Sequence, residues 1–129
     1  GHVTRQFTLT IPQSDLIGSN RSAPIWRRTR TKDTMRALTR AAAHGLAPTG
    51  KATIFVGITK RTRGRYDPTN LTDTFKGCVD ELVTMGILDE DDYHHVTGPF
   101  VYHKGVDARI PPKHIRALVT LTDYSTIPF

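Results

Sequence analysis

The sequence predicts an α+β fold: a single small domain in which two main helices pack on a mixed sheet. Three observations predict it. The 129 residues suit one domain with a modest core and leave little room for a second. Alternating or β-branched runs interleave with two stretches of helical period, in the order β-α-β-α-β-β. The lone cysteine, Cys78, has no internal partner, so the core must hold the fold without a disulfide, as expected in a reducing cytosolic setting.

The elements follow in order. Gly1-His2 reads as an expression scar and is set outside the fold. Val3 to Ile11 alternates through Phe7, Leu9 and Ile11, a first strand. Pro12 to Pro24 carries Pro, Gly, Ser and Asn and predicts a loop. Thr31 to His44 places Met35, Leu38, Ala41 and Ala42 at helical spacing, with Thr31 or Asp33 as cap and Gly45 as stop. Ala52 to Thr59 is short and β-branched, a second strand. Lys60 to Thr69 is a basic turn ending in Asp67-Pro68-Thr69.

The strongest helix comes next. Leu71, Phe75, Cys78, Val79 and Leu82 lie on one apolar face, with Asn70 and Asp73 at its capped start and Gly86 as its stop. A turn, Leu88 to Asp92, leads to a third strand around His95 to His103. Arg109 to His114 holds a Pro-Pro and predicts a loop, and Ile115 to Leu121 is a fourth strand.

Charge is segregated along this chain. The formal net charge is +6 and the pI about 9.8, which points to a polyanionic partner or only to good solubility. Arg27, Arg28, Arg30, Lys32, Arg36 and Arg40 form one basic cluster, and Lys60, Arg61, Arg63 and Arg65 another. Yet Tyr66 to Asp92 gathers eight of the twelve acidic residues. Several functions are excluded. No apolar run of about 18 residues exists to span a membrane. The turn at Lys60 lacks the spaced glycines of a phosphate-binding loop, and no Cys/His spacing suits zinc. A calcium loop opening at Asp89 would need Gly at His94 and Glu at Phe100.

Carboxylates carry the remaining chemistry. Asp73, Lys76 and Asp80 fall at i, i+3 and i+7, one polar stripe. Asp67 precedes the helix, and Asp89, Glu90, Asp91 and Asp92 follow it. Convergence of such groups gives an oxygen-rich site for Mg²⁺, and surrounding basic residues hold a phosphodiester backbone. The plain alternative stands beside this: acids near a helix start cap it, Lys76 pairs with Asp80, Asn70 is only a cap, and Cys78 is core. Of His94 and His95, at most one faces the site, since neighbours on a strand point opposite ways. Trp26 and Tyr66 are candidates to stack on an opened base.

The run DPTNL, then FKGCVDELVTMGILDEDD, then HV resembles the RusA family of Holliday-junction resolvases. Asp67, Asn70, Leu71, Lys76, Asp80, Gly86, Asp91 and Asp92 carry the resemblance, between Asp67 and Val96. Outside it the support is a first strand, Asn20 in the following loop and an Arg-containing helix. The resemblance implies an α+β homodimer that binds four-way junctions and other branched DNA and cuts with Mg²⁺, or Mn²⁺ in its place. It implies Asp67 and Asp91 as metal ligands and Lys76 as catalytic helper, with Asn70 and Asp80 in support. Thr69 stands where some members carry a second Asp, and the stretch from Asn70 to Lys76 is about one helical turn longer. Asp73 is therefore the candidate replacement ligand. Asp91 and Asp92 compete for the later ligand position, and the offset from Gly86 favours Asp91. Arg27, Arg28, Arg30, Lys32, Lys60, Arg61, Arg63 and Arg65 are the expected DNA-binding residues. The setting implied is the cytoplasm of a bacterium, or of a host for a phage protein.

Overall fold

A computed structural model describes residues 4–18 and 22–125. Gly1-His2, Val3 and Asn20, named above, lie outside the described residues. Four strands form one mixed sheet: β1 (Arg5–Pro12), β2 (Ala52–Lys60), β3 (Val96–Val106) and β4 (His114–Thr122), in the order β1-β4-β2-β3. β4 runs antiparallel to both β1 and β2, whereas β2 and β3 are parallel. A parallel pair needs a crossover connection. Here the crossover holds a 3₁₀ helix (Pro68–Phe75) that continues into α2 (Lys76–Thr84).

β1 buries Phe7, Leu9 and Ile11 and exposes Gln6, Thr8 and Thr10, as its alternation predicts. Pro12 ends it at the sheet edge, where a missing N–H is tolerated. β2 lies between β3 and β4, so nearly all its side chains are buried. Ile115, Ala117, Val119 and Leu121 of β4 complete the core face. Met35 of α1 (Ile25–Ala42) and Phe75, Cys78 and Leu82 from the crossover pack on that face.

α1 begins at Ile25, not at Thr31. Pro24 occupies its N-cap with no side-chain cap bond. Its fixed φ and absent N–H cost little at a helix start. Thr31 is no cap either: it is buried, and its hydroxyl donates to the Asp15 carbonyl at 2.9 Å. The preceding loop also holds a turn of 3₁₀ helix, Gln13–Asp15.

The second predicted helix is two elements. Asp67, not Asn70, caps the first: its Oδ1 accepts from the Thr69 N–H at 3.1 Å and the Thr69 hydroxyl at 2.7 Å. Asn70 lies inside the turn, its N–H donating to the Asp67 carbonyl. Three threonines, poor helix formers, fall in this stretch, and the Thr72 hydroxyl bonds the Thr69 carbonyl instead of leaving it to the helix. Gly86 ends α2 as predicted, with φ of 76° and the Ile87 N–H returning to the Leu82 carbonyl.

The two helices pack closely. A Cβ on Gly77 would stand 2.7 Å from the Lys32 carbonyl oxygen, so only glycine allows this approach. Beside it runs an ionic ladder. Lys32 Nζ lies 3.0 Å from Asp80 Oδ2, Arg36 Nε lies 3.1 Å from Glu81 Oε1, and Arg40 bonds Glu81 Oε2. Lys32, Arg36 and Arg40 of the first basic cluster are therefore paired across the helix interface with two of the acids of the acidic segment.

Candidate functional site

A cleft of about 500 Å³ opens where α1, the crossover and the start of β3 meet. α1 supplies Arg28, Thr31 and Lys32 to its wall. The 3₁₀ helix supplies Thr72, Asp73 and Thr74, and α2 supplies Lys76, Gly77, Val79 and Asp80. Asp91 comes from the turn after α2, and Val96, Gly98 and Pro99 come from β3. The floor is tied down by Thr74, whose hydroxyl accepts from the Ile17 N–H and donates to the Ile17 carbonyl. That pins the segment after β1 against the crossover, beside the Thr31–Asp15 bond.

The cleft balances three cations against three carboxylates. Lys32 is held by Asp80, and Lys76 Nζ stands 3.7 Å from Asp73 Oδ1. Lys76 therefore does not pair with Asp80, the partner that helical spacing suggests. Lys76 and Lys32 are both more than half exposed, so each contact contributes at most about 1 kcal/mol and yields readily to a phosphate. Arg28 makes no ion pair among the described residues.

The acidic turn settles two side chains differently. Asp91 lines the cleft. Asp92 Oδ1 instead accepts from the His94 N–H at 3.0 Å and lies 2.6 Å from His95 Nδ1. An ionised carboxylate only accepts, so His95 Nδ1 carries the shared proton. The His95 bond, then the His94 amide, hold Asp92 below the usual carboxylate range. Tyr93 and His94 are exposed, their ring centroids 4.0 Å apart.

Asp67 does not line the cleft. Its Oδ1 serves the cap at Thr69, and Asp67 stands two turns of the 3₁₀ helix before Asp73. Tyr66, just before it, is hydrogen-bonded to His103 on β3 and lies under Lys60 Nζ, 4.5 Å from the ring centroid. Burial raises the Tyr66 phenol above its ordinary pKa. Among the described residues, no three carboxylate, histidine or cysteine side chains stand together as a metal-holding group. The donor chemistry nonetheless fits a hard cation. Asp73 and Asp91 offer only oxygen, and Mg²⁺ is commonly held by one or two carboxylates plus water and substrate phosphate.

The expected DNA-binding residues separate into three groups. Arg28 and Lys32 line the cleft. Arg27, Arg30, Lys60 and Arg61 are engaged in the fold: Arg27 Nη2 bonds the Leu16 carbonyl, Arg30 Nε lies 3.4 Å from buried Asp15, Lys60 Nζ lies over the Tyr66 ring, and Arg61 Nε bonds the Ile110 carbonyl. Arg63 and Arg65 are exposed and make no ion pair among the described residues. Sequence reading missed Glu81, whose buried carboxylate holds two arginines. It also missed the β3 wall of the cleft, where Gly98 and Pro99 carry no chemical signal.

No protein-family model matches the chain, and no curated protein is significantly similar to it. No helix among the described residues is long and apolar enough to cross a membrane.

Proposed function

We propose that the protein is a Mg²⁺-dependent, structure-selective endodeoxyribonuclease that resolves four-way junctions and other branched DNA by paired symmetric nicks. One observation carries the reading. Asp73, Lys76 and Asp91, drawn from three elements, share one cleft with Arg28, and they belong to the stretch that resembles the RusA family.

In this reading Asp73 and Asp91 hold the ion; the resemblance implies Asp67 as a further ligand, which its place as a cap outside the cleft does not support. Bound there, Mg²⁺ or Mn²⁺ supplies positive charge against the phosphate and a more acidic water. Arg28 holds the backbone in the cleft, and Arg63 and Arg65 extend the grip outside it. Lys76 meets charge developing on the phosphate. Asp80 is a positioning residue that keeps Lys32 on the cleft wall.

Two symmetric cuts need two sites, and a C2 dimer supplies them. The sheet face opposite the helices is the surface we assign to it. Phe55 and Phe100 pair across β2 and β3 with ring centroids 5.6 Å apart, and Tyr102 and Leu118 flank Gly57 in the next rung. Phe55, Phe100 and Tyr102 are exposed, which supports this face as an interface.

The test is a Mg²⁺ titration against a synthetic four-way junction, with sedimentation of the complex. Metal-dependent paired nicks by a dimer are expected, with affinity falling steeply as salt rises. A second reading, a branched-DNA-binding module without catalysis, is favoured by Thr69 and by the capping role of Asp67. Junction binding with no cleavage in any divalent ion would select it, and no preference for branched DNA would overturn both.

A further inference from the structure

The acidic turn after α2 is exposed from Asp89 to His94, so burial does little to fix where Asp91 stands. Its two ends are tied to the start of β2. The Asp89 N–H donates to the Gly50 carbonyl and the Ala52 N–H donates to the His95 carbonyl, both at 2.9 Å. Between those ends a further tie comes from the segment after β4: the Tyr124 hydroxyl donates to the Tyr93 carbonyl at 2.6 Å. We propose that Tyr124 is a positioning residue for Asp91, holding the turn so that the Asp91 carboxylate stays on the cleft wall. The inference rests on the nuclease reading, in which Asp91 holds the cation, and deepens it by naming what sets that carboxylate in place.

Tyr124 is itself mounted on the sheet. The Ser125 N–H donates to the Thr53 hydroxyl at 3.1 Å, and the Thr97 hydroxyl donates to the Ser125 carbonyl at 2.8 Å. Thr53 and Thr97 are partners in the parallel ladder of β2 and β3. One residue beyond Tyr124, then, the backbone is clamped to both strands. Lys51 Nζ lies over the Tyr124 ring, 5.7 Å from its centroid, within cation–π reach. The phenol is therefore anchored to the end of the sheet from which Val96 enters the cleft wall.

The turn passes a shift at Tyr93 on to Asp91. The Asp92 carbonyl accepts from the His95 and Val96 N–H groups at 3.0 and 2.9 Å, and its Oδ1 accepts from the His94 N–H. These bonds lace Asp92 to Val96 into one unit, with Asp91 directly before it. Mg²⁺ demands near-octahedral ligand geometry, so a carboxylate already held in place binds it more tightly than one whose backbone must first be ordered. Tyr124 does not line the cleft, so its effect reaches the cation through Asp91.

Tyr124→Phe keeps the ring and removes only the hydroxyl. Amide hydrogen exchange without added cation should quicken at His94, His95 and Val96 and stay unchanged in β1 and β4. Titration calorimetry with Mn²⁺ should show a dissociation constant raised roughly three- to tenfold, the range for one hydrogen bond between uncharged groups. In an Asp91→Asn background the same substitution should change Mn²⁺ affinity no further, because the phenol acts through that carboxylate. Unchanged exchange at the turn, or unchanged Mn²⁺ affinity with Asp91 present, would overturn the positioning role alone, and so would an equal loss with and without Asp91. A wild-type protein that binds no Mn²⁺ and cuts no junction in any divalent ion would overturn the nuclease reading and the role of Tyr124 together.

Discussion

Asp92 Oδ1 stands 2.6 Å from His95 Nδ1, while Asp91, one residue earlier, lines the cleft. Neighbouring acids thus have separate tasks, one closing the turn and one facing the cleft. Asp91→Asn should abolish metal-dependent cleavage and leave junction binding intact or tighter. Asp92→Asn should keep cleavage and lose stability instead. The folded Asp92 carboxyl titrates below its ordinary value of 3.8, so its contribution is present above that pH and is lost as pH falls below it. Single-turnover cleavage with urea midpoints at pH 7 and pH 3 separates the two, and loss of cleavage in Asp92→Asn alone would reverse the assignment.

Asp67 can be split between its two candidate roles. Asn caps a helix about as well as Asp, so Asp67→Asn keeps the Thr69 bonds and removes only the charge. If Asp67 is a ligand, that variant should melt like wild type and cut at least a hundredfold more slowly at the same Mg²⁺. Full cleavage would leave Asp67 as a cap and place the ion on Asp73 and Asp91. Asp73→Asn should then raise the Mg²⁺ needed for half-maximal rate.

The ladder between α1 and α2 predicts unequal costs. Glu81 is buried, and its arginine partners are half-buried or exposed. Removing both Arg36 and Arg40 strands a buried carboxylate and should cost about 3–5 kcal/mol. Glu81→Gln frees two arginines that can hydrate, so the loss should be closer to about 1–2 kcal/mol. Denaturant midpoints of the two variants check the order, and equal losses would show that Glu81 is not the stranded partner.

Gly77→Ala should cost about 1–3 kcal/mol, because the added methyl meets the Lys32 backbone rather than a flexible side-chain end. The same shift moves Lys32 on the cleft wall. Junction affinity should therefore fall along with thermal stability, and a variant as stable as wild type would contradict the close approach.

Burial pushes the Cys78 thiol up to about 12 from an ordinary 9.0. The unfolded chain then loses this proton before the folded one does. Stability from Cys78 is present below pH 9.0 and is lost as pH rises from there towards 12. Cys78→Ala should flatten that alkaline slope relative to wild type while lowering stability at neutral pH through the lost volume. Parallel slopes would place the titration elsewhere.

β1 and β4 were legible because their buried residues alternate, through Phe7, Leu9 and Ile11 and from Ile115 to Leu121, whereas β2, buried on both faces, was legible as a short β-branched run. The crossover was legible as one helix only, because Leu71 and Phe75 are four apart and fit an α period. Nothing in that spacing reveals a 3₁₀ turn capped by Asp67. The first turn of α1 was missed because apolar periodicity marks where a helix is buried, and Ile25 and Trp26 are in solvent. Lys32, Arg36 and Arg40 recur every four residues, the one signal that a partner helix had acids to offer. Their pairing with Asp80 and Glu81 depends on which helices are neighbours, which local pattern does not encode. For the site, the offset from Gly86 favoured Asp91 over Asp92, but that Asp92 closes the turn on His94 and His95 is seen only in the fold.

The parallel pairing of β2 with β3 carries a consequence for how the protein comes to be folded. Ala52 meets Val96, and Lys60 meets Val106, so every rung of that ladder closes a loop of roughly 45 residues. Such closure is entropically modest at equilibrium but slow to find. The antiparallel pairs of β4 span still longer stretches of chain, while α1 and α2 need only local contacts. Helical signal should thus lead in refolding, and the cleft, framed by β3, should be assembled late. Trp26 emission, far-ultraviolet dichroism and recovery of DNA binding after dilution from denaturant would time these events separately. A chain caught before the last of them would present its basic helix without the acidic turn that gives the cleft its chemistry.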